Sequence, residues 1–137
     1  MDLLVNIDVP DIERATAFYV GAFGLTVTRR FGAGGVELSG LPAKIYLLRK
    51  AEGSIGAASD PRRYERHWTP VHLDMVVDDI DAALARAVAA GAKAETPLNV
   101  HDWGKIAVLS DPFGNGFCLI EFVGRGYDEI APVIEGR

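Results

Sequence analysis

From Leu3 to Val9 the chain alternates, with Leu3, Val5, Ile7 and Val9 on one face and Leu4, Asn6 and Asp8 on the other. A period of two predicts a strand with one strongly apolar side. Pro10 stops it, and Asp11 supplies a carboxylate to cap a helix. Ile12, Ala15, Phe18, Tyr19 and Ala22 then follow at helical spacing, and Gly24 marks the helix end. Three strands are expected next, at Thr26–Phe31, Val36–Leu38 and Ala43–Arg49, divided by turn-forming residues at 32–35 and 39–42. Residues 51–70 read as a linker, since Ala51–Pro61 is rich in Gly, Ser and Ala and has no periodicity.

The same order then returns. His72–Val77 reads as a strand, and Asp79 caps a helix with the stripe Ile80, Ala83, Leu84, Ala87 and Val88. Gly91 ends that helix. Strands are expected at Ala94–Thr96, Ile106–Ser110 and Gly116–Phe122, with a tight turn at 111–116. Residues 4–19 align with 72–87 without a gap: Val9 meets Val77, Asp11 meets Asp79, Ile12 meets Ile80 and Ala15 meets Ala83. Two copies are too few for a solenoid. The expectation is a single α+β domain of two βαβββ modules, at about 1–50 and about 71–123. A linker at about 51–70 joins them, and a tail, 124–137, either docks on the body or meets a partner chain. Curved mixed sheets would carry the helices outside and a concave cavity inside. That face would present Leu4, Asn6 and Asp8 from the first copy, and His72, Asp74 and Val76 from the second. Mixed polar and apolar lining suits a small-molecule pocket.

The chain has 137 residues, 49% of them hydrophobic and 24% charged, which suffices for one globular core. A net charge of −5 argues against a general nucleic-acid binder. No apolar run approaches the roughly 20 residues of a membrane span, and the first residues lack the pattern of a signal peptide. The expectation is a cytoplasmic protein. Cys118, the one cysteine, sits in an apolar run and reads as a buried structural thiol. Gly32–Gly35 does not precede a helix and carries no nucleotide role.

Three segments, NIDVPDIERATAFYVGAFGL, HLDMVVDDIDAALARAVAAGA and WGKIAVLSDPFGNGFCLIEF, resemble the vicinal oxygen chelate superfamily. That superfamily includes glyoxalase I, bleomycin-resistance proteins, fosfomycin-resistance enzymes and extradiol dioxygenases. The resemblance implies paired βαβββ modules, a homodimer and a site on the concave face. Metal-using members draw ligands from the first and last strands of each module. By that correspondence His72 and Glu121 would hold a divalent ion (Zn, Ni, Mn or Fe). Module one departs from the pattern, with Leu4 at its first place and Leu48 or Lys50 near its last. Asn6, Asp8, Asp74, His101 or a chelating substrate would have to complete the set, since a catalytic site usually needs about three protein ligands.

Each candidate has a plainer reading beside the chemical one. His72 is a metal ligand, a general base or a pocket hydrogen-bonding group. Glu121, between Ile120 and Phe122, is a ligand or base, or else the partner of Arg49, Lys105 or Arg125. Asp74 would share a strand face with His72 and orient its imidazole. His101 and Trp103 lie in a loop that borders the cavity in similar proteins, or in a surface turn. Tyr46 and Phe117 pack or line the cavity. Two functions stay open: a metal-assisted lyase, isomerase or dioxygenase, and a metal-free protein that sequesters a small molecule or drug. A non-catalytic sensor domain has no positive support.

Overall fold

The structure is a computed structural model that describes residues 1–134. Module one runs β1 (Leu4–Val9), α1 (Ile12–Phe23), β2 (Thr26–Arg30), β3 (Gly35–Ser39) and β4 (Lys44–Arg49). A small hairpin, β5 (Ile55–Ala57) and β6 (Asp60–Pro61), follows. Module two runs β7 (Leu73–Val76), α2 (Ile80–Ala90), β8 (Lys93–Ala94), β9 (Asn99–Val100), β10 (Gly104–Ser110) and β11 (Gly116–Phe122). The first sheet is ordered β1-β4-β3-β2, with β1 parallel to β4. The second is ordered β7-β11-β10-β8, with β7 parallel to β11 and β9 also on β10. The fold is α+β with mixed sheets.

Both helices start and stop where the local chemistry requires. Asp11 has extended backbone, and its carboxylate accepts the Arg14 amide at 3.1 Å; Asp79 does the same for Ala82. Gly24 closes α1 at φ 66°, a left-handed conformation that glycine adopts without a side-chain clash.

The two modules share one core. Val9, Ala15, Phe18 and Tyr19 pack in the same cluster as Met75, Ile80, Leu109 and Leu119. α1 lies on β2–β4, α2 lies on β10 and β11, and the helices pack on each other. The modules are thus joined within one chain. A Cβ at Gly21 would stand 3.4 Å from that of Ala90, and the Arg86 Nε donates to the Gly21 carbonyl at 2.7 Å. Phe117 of module two meets Phe23 of module one with ring centroids 5.3 Å apart. Each such buried ring contributes about 1.5–3 kcal/mol.

Several expectations need correction. The linker carries the β5–β6 hairpin. The expected strand at 94–96 shrinks to Lys93–Ala94, because Pro97 cannot supply an amide to continue the ladder. Val88 is 46% exposed: Ile80 and Ala87 carry α2's buried edge, Ala83 and Leu84 are half-buried, and Val88 has rotated past that edge. In the tail, Tyr127 packs on Phe122 and Trp103, whereas Val133 and Ile134 are exposed. Residues 135–137 of the tail lie outside the described residues.

Candidate functional site

β1 and β7 are outer strands of their sheets, and each has one edge without a ladder partner. A cavity of about 640 Å³, within the range of small-molecule sites, is lined by residues of both strands, of α1 and β11, and of the segment from Gly56 to His72. Its apolar lining mixes aromatic side chains, Tyr19 and Phe23 from α1, Phe117 from β11, and Tyr64 and Trp68 from the 56–72 segment, with aliphatic ones such as Val5, Ile7, Leu73 and Met75. Polar groups sit among these: Asn6 and Asp8 of β1, Arg62, His67 and His72.

The polar members are held in place. The Asp8 carboxylate takes the Arg62 Nε at 2.7 Å, and Arg62 also donates to the Ile55 carbonyl at 2.8 Å. Tyr19 donates its hydroxyl to Asp111 Oδ2 at 2.6 Å. Burial, reinforced by that carboxylate, holds the Tyr19 phenol well above the ordinary tyrosine range. Asp111 also accepts the amides of Phe113 and Asn115, so the β10–β11 turn is locked to α1 through one carboxylate.

His72 stands at the cavity, and its Nε2 lies 3.2 Å from Asp74 Oδ1. Asp74 faces Cys118 across the β7–β11 ladder. Donor atoms of His72, Asp74 and Cys118 all lie within 4.8 Å of one another. Burial, with a smaller effect from the Asp74 charge, pushes the Cys118 thiol up to about 11.

The expected convergence of His72 and Glu121 fails on strand parity. Phe117 and Leu119 of β11 belong to the shared core, so Glu121 points to that side, whereas Cys118 faces the other. Glu121 Oε1 accepts the Ile80 amide at 3.0 Å, at the first turn of α2, and Oε2 lies 3.7 Å from Lys105 Nζ. A carboxylate at a helix N-terminus is favoured by the free amides and the helix dipole. Of the three cations weighed as its partner, Lys105 is the one present.

Other candidates lie away from the cavity. His101 stacks on Trp103 with planes 5° apart, and Trp103 packs toward Phe122 and Tyr127. Neither contributes to the cavity wall, and nor do Leu4, Val76 or Asp74 from the expected concave face. The Tyr46 hydroxyl instead donates to Glu37 Oε2 at 2.7 Å. Glu37 is 3% exposed and also accepts from Thr28 at 2.9 Å. Those two hydroxyls hold its carboxyl below the usual range, with Arg29 and Lys44 helping. The Glu37 site and the cluster partner Cys118 were not anticipated. The triplet Val36-Glu37-Leu38 carries the signal for one. Core parity along β11 carries it for the other.

The glyoxalase-like domain family matches residues 4–120. CFP32 of Mycobacterium bovis, named provisionally as a glyoxylase, is 32% identical over 117 residues, covering 83% of this chain and 40% of that protein. The anthracycline biosynthesis protein DnrV of Streptomyces peucetius is 30% identical over 120 residues, covering 80% and 42%. The chain spans about two fifths of the length of these relatives. Among solved structures, TioX of Micromonospora sp. ML1 superposes with TM-score 0.69 at 20% identity, covering 90% of this chain and 99% of that one. The fosfomycin resistance protein FosX of Listeria monocytogenes does so with TM-score 0.68 at 16% identity, covering 88% and 92%. Those likenesses speak to the fold alone; the family match, which runs from β1 into β11, shows the family. The chain belongs to the glyoxalase-like branch of the vicinal oxygen chelate superfamily.

Proposed function

We propose that this protein binds a small organic molecule with a flat, largely apolar body in the cavity between β1, β7 and the 56–72 segment. The observation that supports the reading is the cavity itself: about 640 Å³, with aromatic and aliphatic walls from both modules and polar groups among them. Aromatic side chains offer large contact area to a planar ligand. His72 and the Arg62–Asp8 pair would orient it by hydrogen bonding. The reading does not require a metal, in keeping with a sequestering protein. A homodimer belongs to the proposal as well, because Leu4 and Val76 leave exposed apolar surface on the outward sheet faces.

The test uses the two tryptophans, Trp68 in the cavity wall and Trp103 outside it. In a Trp103→Phe protein, anilinonaphthalene sulfonate should quench Trp68 on binding. Asn6→Arg, which places a long charged side chain at the cavity border, should weaken that binding at least tenfold. Binding that leaves Trp68 unquenched and ignores the Asn6 change would refute the reading.

A second reading is favoured by one observation, the cluster of His72, Asp74 and Cys118. Imidazole nitrogen, carboxylate oxygen and thiolate sulfur are all zinc donors, so this donor set suits a borderline ion such as zinc. His72, Asp74 and Cys118 would hold that ion, in place of the expected His72 and Glu121. When bound, it would supply Lewis acidity toward ligand oxygens, as lyase or isomerase chemistry requires. Asp74 would orient the His72 imidazole, and Cys118 would have to release its proton. Elemental analysis of protein purified without chelator decides it. The reading expects about one ion per chain, lost in His72→Ala and Cys118→Ser but kept in Glu121→Gln.

A further inference from the structure

The segment from Arg63 to Val71, which contributes to the cavity wall, is built in two unlike halves. From Arg63 to Val71 no main-chain group pairs with another main-chain group among the described residues. The upstream half is nevertheless fixed, by side chains. Tyr64 donates to the Lys50 carbonyl at 2.7 Å. Arg66 grips Glu95 with two parallel bonds, Nε to Oε2 at 2.6 Å and Nη2 to Oε1 at 2.9 Å. A planar, two-point ion pair of this kind fixes direction as well as distance.

The floor under this half has been cleared for it. A Cβ at Gly114 would stand 2.4 Å from the Glu65 carbonyl oxygen, and one at Gly116 would stand 2.6 Å from Arg66 Nη2. Glycine at 114 and at 116 lets residues 65 and 66 lie so close. The downstream half has one local bond, from Thr69 Oγ1 to the Val71 carbonyl at 3.1 Å, but no such seat on the body among the described residues. Trp68 is 79% exposed and Val71 is 78% exposed, yet both border the cavity. Large apolar side chains at the mouth of an apolar cavity have surface to lose once something fills it.

We propose that Trp68–Val71 is a lid, pinned at Arg66 by Glu95 and continuous with β7, that folds Trp68 onto a molecule bound in the cavity. The proposal rests on the cavity-binding reading and adds how the bound state is kept. Trp68 retards escape through its own contact with the ligand. Arg66 and Glu95 do not touch the ligand; they position the lid. Both therefore act on dissociation more than on association.

Stopped-flow binding of anilinonaphthalene sulfonate to the full chain tests this. Trp68→Ala, at an exposed position where folding is safe, should speed dissociation about tenfold and leave association within about twofold. Glu95→Gln should speed dissociation several-fold by loosening the pin. Hydrogen exchange of amides 67–71 should slow on adding the probe to the wild-type protein. If the probe binds and quenches Trp68 but neither variant changes dissociation, the lid is overturned and the cavity reading stands. If variants change association and dissociation equally, the lid is likewise overturned. If the wild-type protein does not bind the probe at all, both fall together.

Discussion

Two glutamates interrupt apolar strand runs in this chain, and in each case the structure shows what keeps the carboxylate inside. Glu121 satisfies the first amide of α2 and faces Lys105. Glu121→Ala should therefore cost about 1.5–3 kcal/mol of stability, the range for a lost hydrogen bond to a charged group. Thermal denaturation measures that, and the affinity for anilinonaphthalene sulfonate should stay unchanged. Glu37 is held ionised by Tyr46 and Thr28. Its folded pKa lies below its unfolded one, so its contribution is present above the unfolded value and is lost as pH falls through the lowered folded value. The stability gap between wild type and Glu37→Gln should be widest near neutral pH and should close on acidification. A gap that widened in acid would reverse the assignment. At this scale the sequence was half informative. The strand position of Asp74 could be read directly, whereas His72, expected to open that strand, stands one residue before β7 begins at Leu73. The direction of Glu121 could not, because a run such as FCLIEF is apolar on both faces and hides its own parity. His101 and Trp103 went to a surface stack because the stacking partners, Phe122 and Tyr127, come from the end of β11 and the tail.

Most of the elements were legible because punctuation and periodicity agree. Asp11 with Gly24, and Asp79 with Gly91, bracket the two helices, and the pattern of β11 matches its observed bounds residue for residue. What escaped was set by tertiary contact. The β5–β6 hairpin has too few residues to show a period, and Arg62, reaching Asp8, Ser54 and Ile55, is what ties it to β1. The joining of the modules through α1 and α2 was equally hidden, since each helix carries one apolar stripe that could face either a sheet or another helix. The helix contact makes a sharp prediction at Gly21. A Cβ there meets Ala90 at ordinary contact distance. Gly21→Ala should stabilise the fold by up to about 1 kcal/mol through helix propensity, and Gly21→Leu should destabilise it by about 1–3 kcal/mol through overpacking. Paired chemical denaturation curves check both signs.

For the whole molecule, two modules sharing one core leave two outward sheet faces and one cavity between unpaired strand edges. No helix among the described residues is long and apolar enough to cross a membrane. The proposed homodimer would cover the exposed apolar surface of those faces, and sedimentation should return about twice the 14.8 kDa chain mass. A species of single-chain mass at micromolar concentration would remove the dimer and leave the cavity reading intact, because every residue of the cavity wall comes from one chain. The most direct test of the central claim is amide shift mapping by NMR during titration with anilinonaphthalene sulfonate. The account predicts saturable shifts confined to β1, the α1 residues near Tyr19 and Phe23, the 64–73 segment and the start of β11. Shifts centred instead on Trp103, Phe122 and Tyr127, or spread without saturation over the outer sheet faces, would contradict it.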